Sequence, residues 1–444
     1  MRTTAIVTLA WVCLSTCLML GTAVAQDGSS DGSVRSRSTE PYFDSLLSQD
    51  PEDIVNQLRL IRQLASRRTA VFSYPPLWRF HERADQAQQN LSETHFIKTG
   101  LALNSAFQGI SDSLPGTDRF GIATDMDFIV DWQVLNRGEP ARGRVYFGLE
   151  GRWEYGLPGP TDLAASVGSA ITTANTYAAY NPTYIVRNLF WKQGSPEAGW
   201  AYRIGHITPD QIFSTSSRLS PITTFLPVAG TGSFANALPD SGLGAVVGWG
   251  PSDRFRVGAG VSDANANRLR WAAGEGQLYK ALEFQGKVLP LTDEGVWSKL
   301  TLWHNDGTAN GLPVNGMTGR EGWGIFIIHE QELTCDGRAV AVFRWGKSFN
   351  RSALYEQQVG SHLVLDDPCV PSLEHLADDS CGVALNWVKS SANGRHEYDF
   401  EAFYRFPLFP NTDMSLLYQS IFHPALTRAI DHASAFSLRL TSAY

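Results

Sequence analysis

From His95 to the C-terminus, apolar side chains recur at every second position and never gather into a window of 18, so this part of the chain crosses no bilayer as a helix and is expected to be built of strands. Between Arg142 and Tyr155, Arg144, Tyr146, Glu150, Arg152 and Glu154 share one face, while Val145, Phe147, Leu149, Trp153 and Tyr155 share the other. Arg256 opposes Phe255, Val257 and Val261. Near the end, Glu397, Asp399, Glu401 and Arg405 oppose Tyr398, Phe400, Tyr404 and Phe406. Such strands have one greasy face each, and the fold depends on what covers it.

A soluble sandwich would press two greasy faces together, and a membrane barrel would turn them to lipid. Composition favours the barrel: 13 Trp, 14 Tyr, 23 Phe and 40 Gly stand in a 444-residue chain that is only 18% charged. Aromatics cluster where strands end, at Trp153 with Tyr155, Trp200 with Tyr202, Trp297 with Trp303, Trp345, Trp387, and Tyr398 with Tyr404, as in girdles at two membrane interfaces. Strand starts fall near residues 95, 119, 142, 182, 199, 243, 254, 280, 296, 322, 338, 354, 382, 396, 411 and 432, which makes about sixteen. Short turns at 136–140, 250–253 and 410–412 interleave with long segments at 157–181, 208–241, 263–279 and 304–321. Segment 366–381 breaks that alternation. The expected fold is all-β, a transmembrane antiparallel β-barrel of about 16 strands with a short N-terminal helical prefix, its apolar sides on hydrocarbon and its polar sides on a watery tunnel.

Upstream, residues 1–25 read as a signal peptide: Arg2 precedes an apolar stretch from Ala5 to Leu20, and Ala23-Val24-Ala25 gives a small-x-small cleavage pattern. Residues 26–49 are a Ser, Gly and Asp rich linker. Residues 50–92 form a helical periplasmic prefix, with Ile54, Leu58, Ile61 and Leu64 at helical spacing and a Pro75-Pro76 break, and residues 93–444 form the barrel. Cys13 and Cys17 belong to the leader; of Cys335, Cys369 and Cys381, the last two bracket a polar segment that a disulfide would close.

Net charge is −8, and about −9 once the leader with its Arg2 is removed, the wrong sign for nucleic-acid binding. His329-Glu330 lacks a second His at the spacing of a metalloprotease, and no Gly-x-Ser-x-Gly elbow frames a nucleophile, so neither enzyme, metal nor cofactor is expected.

Several segments resemble the carbohydrate-selective porin family typified by OprB. They are Gly232-Ser233-Phe234-Ala235-Asn236-Ala237-Leu238-Pro239-Asp240-Ser241-Gly242-Leu243-Gly244-Ala245, the hairpin from Phe400 to Asn411, Gln419-Ser420-Ile421-Phe422-His423-Pro424-Ala425-Leu426, and the closing strand Phe436 to Leu440. The chain ends on Tyr444, and membrane barrels resemble it in closing on an aromatic. The resemblance covers roughly 95–444, lacks the family's Trp-Gly-rich opening, and implies a sixteen-stranded outer-membrane channel that passes sugars.

A sugar channel needs width, hydrogen-bonding groups and flat apolar faces, and a lumen this wide needs a loop folded inward to narrow it. Segment 208–241, with Asp210 and Arg218, is the expected constriction loop. Inward parity selects Arg144, Glu150, Arg152, Arg203, Arg256, Glu283, Lys287, Lys299, Glu401, Arg405, Gln419 and Arg439. The expected solute-lining set is Glu150, Arg152, Arg203, Asp210, Arg218, Glu401, Arg405, Gln419 and Arg439. Expected partners are outer-membrane lipid, carbohydrate solutes, and either a second copy in a trimer or the cell wall through residues 50–92. Two other readings compete: a general or ion-selective porin whose prefix tethers the envelope, and a secreted β-sandwich lectin or glycan-active enzyme.

Overall fold

The computed structural model describes residues 61, 70–72, 75–171, 173–178, 183–195, 198–252, 254–267, 275–287, 296–334, 337–368 and 378–444. Helix α1 (Pro75–Asn90) and one π turn (Leu91–His95) lead into sixteen strands. These are β1 (Ile97–Ile110), β2 (Phe120–Leu135), β3 (Gly143–Glu154), β4 (Tyr184–Ser195), β5 (Trp200–Ile207), β6 (Gly242–Ser252), β7 (Phe255–Asp263) and β8 (Leu278–Gly286). The second half comprises β9 (Val296–Asn305), β10 (Gly322–Glu332), β11 (Ala339–Ser348), β12 (Tyr355–Asp366), β13 (Ser380–Ser390), β14 (His396–Phe409), β15 (Thr412–Phe422) and β16 (His432–Ala443).

Each strand pairs antiparallel with its sequence neighbours, and β1 pairs with β16, so the sheet closes on itself. Leu101 and Tyr444 exchange both backbone hydrogen bonds at 2.7 Å where the ends of the barrel meet. Closure removes every sheet edge, the condition for a sheet to cross hydrocarbon, and rules out the two-sheet sandwich. The outer surface then has the composition a bilayer requires. Leu103, Phe107, Ile204, Val247, Leu302, Phe343, Leu385, Leu416, Phe436 and Leu438 are all exposed there, Phe436 at 65%.

Short turns gather at one rim and long loops at the other. Pro410 and Asn411 alone join β14 to β15, and Asn411 takes a φ of 63° that Asn tolerates better than most side chains. At the opposite rim, residues 208–241 separate β5 from β6. The longer spacing between β12, which ends at Asp366, and β13, which starts at Ser380, falls at the short-turn rim, the exception seen in the sequence. Cys381 lies on β13, and Cys369, its expected partner, is outside the described residues.

The structure corrects three expectations. Trp297 and Trp303 do not belong to the outer girdle: they share the parity of inward-facing Lys299, and Trp303 is only 3% exposed. Lys287 lies past the end of β8 and not on the strand wall, is exposed, and places its ammonium 5.5 Å from the Trp297 ring centroid. The inner surface is also not uniformly watery. On β10 to β15, inward-facing Phe326, Ile328, Val340, Val342, Val364, Val388, Phe403 and Leu417 form a dry cluster with Phe225, Leu226, Ala229 and Ala235 of segment 208–241. Parity places a side chain inside but does not say whether water or a loop meets it.

Candidate functional site

Two long-rim loops fold into the barrel and are bound to its wall by the inward-facing polar side chains. The described residues 155–171 and 173–178 carry helix α2 (Leu163–Val167), and residues 208–241 carry helix α3 (Val228–Thr231). A loop in a lumen leaves backbone N–H and C=O groups away from bulk water, and each needs a partner. The wall supplies them residue by residue.

Carboxylates accept from loop N–H groups. Glu283 accepts from Ser214 N–H at 2.7 Å, Glu330 from Ser217 N–H at 3.1 Å and its hydroxyl at 2.9 Å, and Glu401 from Leu226 N–H at 2.9 Å. Cations and amides donate to loop carbonyls. Lys299 reaches Thr215 O at 2.9 Å, Arg439 reaches Pro221 O at 2.7 Å, and Asn305 reaches Ala237 O at 2.7 Å. Arg344 is the strongest clasp: Nη1 donates to Gly230 O at 2.8 Å, and Nη2 donates to Gly232 O at 2.5 Å and to Ser233 Oγ at 2.7 Å. Gln358 binds Ala229 O at 2.8 Å beside it. Gly346 permits the close approach, since a Cβ there would lie 2.8 Å from the Ala235 Cβ and 2.4 Å from Phe326.

The smaller loop is held in the same way. Glu397 accepts from Ala170 N–H at 2.7 Å, Ile171 N–H at 3.1 Å and Ala425 N–H at 2.7 Å, and also from the Ser169 hydroxyl. Gln419 donates to Thr173 O at 2.7 Å and Gln108 to the same oxygen at 3.3 Å. The two loops meet where Asn175 N–H donates to Leu226 O at 2.7 Å.

A mixed-charge cluster stands on β2, β3 and β4 at the two ends of the larger loop. Arg152 contacts Glu150 at 2.8 Å and Asp125 at 3.1 Å. Arg187 contacts Asp240 at 3.0 Å, Glu150 at 3.4 Å and Asp210 at 3.9 Å. One guanidinium thus joins both ends of the loop to the wall. Asp210, with its side chain 33% exposed, is the charge of this cluster most open to water. Farther along the wall, Arg203 lies 5.4 Å over Phe190, which stacks on Tyr146 at 4.8 Å. Arg218 pairs with Glu332 at 3.1 Å, and Arg405 faces Asp413 at 3.7 Å.

Of the residues singled out in the sequence, Glu150, Arg152 and Asp210 come together, while Glu401, Gln419 and Arg439 are drawn into loop anchoring. Sequence parity missed Arg187 because a register shift opposite Gly148 and Leu149 breaks the alternation of β4. It missed Arg344 for another reason. Val340, Val342 and Arg344 follow one another on the inward side of β11, and a lone guanidinium beside two valines there was a readable sign that acceptors approach from the lumen.

No protein-family model matches the chain, and no curated protein matches it. Solved structures do match in fold. The high-pH structure of Pseudomonas putida OprB superimposes with a TM-score of 0.67 at 12% identity, covering 81% of this chain and 97% of that one. Its low-pH structure gives 0.50 at 11% identity, covering 81% and 96%. Identity this low shows a shared barrel architecture and carries no residue roles across.

Proposed function

We propose that the protein is an outer-membrane porin through which carbohydrates and other small polar solutes diffuse passively, and that segment 208–241 sets its selectivity. The observation that carries this reading is the pairing of an exposed apolar outer belt with an interior in which buried wall charges hold a loop across the lumen. A barrel whose interior served only for stability would not need Glu283, Glu330, Arg344, Glu401 and Arg439 all spent on one loop. The charges of both signs at Asp210, Glu150, Arg152 and Arg187 offer hydroxyl-bearing solutes donors and acceptors together. The likeness in fold to OprB agrees with this reading.

The test is single-channel recording of the purified protein in planar bilayers, titrated with mono- and oligosaccharides. Saccharide-dependent blocking at near-neutral ion selectivity is the expected result. Strong preference for one ion with no response to any saccharide would replace sugar passage by ion-selective diffusion, and the absence of channels would end the porin reading.

A further inference from the structure

The weakest line in a closed barrel is its seam, because β1 and β16 pair across almost the whole length of the chain and close last. Here the segment that precedes β1 reaches over that seam and grips the strands on its far side. His81, on α1, is buried, and its ring stacks on the ring of the terminal residue Tyr444 at 5.5 Å and 17°. Phe80 meets Tyr444 edge-on at 5.7 Å. Asn411 in the β14–β15 turn places Nδ2 2.9 Å from His81 Nδ1; an amide nitrogen can only donate, so the ring nitrogen accepts.

A second grip lies one strand further. Val71 N–H and Phe72 N–H donate to Pro407 O and Leu408 O at 3.0 Å each, where the β14 ladder shifts register and leaves carbonyls without strand partners. The Phe72 ring packs 5.7 Å from Phe409. The chain attached to β1 therefore holds β14, the β14–β15 turn and the end of β16 at the same rim.

We propose that Val71, Phe72, Phe80 and His81 form a seam latch: they bridge β1 to the far side of the closure and set the rate at which the barrel opens between β1 and β16. To open the seam, Tyr444 must leave Phe80 and His81 before the Leu101–Tyr444 backbone pair can part. A prefix that only spaced the barrel from a tether would have no reason to bury a histidine against the last residue of the chain.

The test is the rate at which the full-length protein loses its folded, heat-modifiable band in detergent. Phe80→Ala with His81→Ala removes both ring contacts and one buried hydrogen bond, and unfolding should accelerate by about tenfold or more, with single-channel conductance unchanged. A covalent latch, made by oxidising His81→Cys with Asn411→Cys in a background lacking the native thiols, should slow opening below the wild-type rate, and reduction should reverse this. Equal unfolding rates for the wild type and the Ala pair, or an oxidised pair that opens as fast as its reduced form, would overturn the latch. If the Ala pair does not fold, the oxidised and reduced rates decide the matter alone.

Discussion

Arg344→Met is the sharpest perturbation of the constriction. The guanidinium is fully buried, its plane lies 5.4 Å from the Phe326 ring, and its bonds at 2.5, 2.7 and 2.8 Å end on Gly232, Ser233 and Gly230. Hydrogen bonds to a charged donor contribute about 1.5–3 kcal/mol each, and from three of them the desolvation of the charge must be subtracted. Met removes the guanidinium from over the Phe326 ring and leaves Gly230 O without its donor, while Gln358 still holds Ala229 and Gly232. A net loss of about 3 kcal/mol at α3 is reasonable from these terms, and it raises the population with α3 detached from the wall by roughly 150-fold.

The assay is single-channel current with a blocking saccharide on the variant beside the wild type. Noisier currents, higher mean conductance and weaker saccharide block are expected, because a detached α3 no longer fixes the aperture. Arg344→Met with Gln358→Leu should exceed the sum of the two changes, since the carbonyls of Ala229 and Gly232 then lose both partners. A folded Arg344→Met barrel with wild-type conductance and block would show that the clasp does not set the aperture.

Three further outcomes follow from the same geometry. Glu397→Ala strands the N–H groups of Ala170 and Ile171 in the smaller loop, and of Ala425 in the β15–β16 turn, at about 1–3 kcal/mol each, so proteinase K should cut between residues 160 and 171 far faster than in the wild type, with Glu397→Gln intermediate. Arg187→Met leaves Glu150, Asp210 and Asp240 without their common cation; the reversal potential in a salt gradient should move toward cation preference, and Arg187→Lys should restore most of the wild-type value. At the long-loop rim, partial burial pushes the Asp306 carboxyl up, but hydrogen bonds from Lys280 Nζ and Leu278 N–H outweigh this and hold it below its ordinary range. A depressed carboxylate adds stability above its unfolded pKa of about 3.9 and loses it as pH falls through the folded value. Asp306→Asn should therefore unfold slightly sooner at pH 7, by about 0.5–1 kcal/mol for so exposed a pair, and the difference should vanish as the pH falls through the folded value.

The ring itself was legible in the sequence because a sheet between lipid and a polar lumen imposes a period of two on every strand. All sixteen starts fall within about two residues of the expected positions. The inner surface was less legible, for a physical reason that Trp303 and Arg344 show together. Period two sorts residues into inside and outside, and both of these are inside; whether a side chain there meets water or a folded loop depends on contacts over a hundred residues apart, as between Arg344 and Gly230. Arg187 escaped for a local reason, a register shift that no alternation rule anticipates.

The division of labour inside the barrel follows from that distinction. On β10 to β15, apolar wall residues meet Phe225 and Leu226, and Arg344, Gln358 and Glu401 satisfy the backbone that this dry contact buries. On β2 to β4 the wall carries charge, and the two ends of the loop meet it through Asp210 and Asp240 on Arg187 and through Thr208 and Gln211 on Asn188. A solute path bounded by one dry, rigid side and one charged side needs no moving part to discriminate by size. The loop's position is fixed by packing on one side, and the side chains that meet a hydroxyl are supplied by the other. Substitutions on β10 to β15 should therefore change which sizes pass, and those on β2 to β4 should change which charges pass.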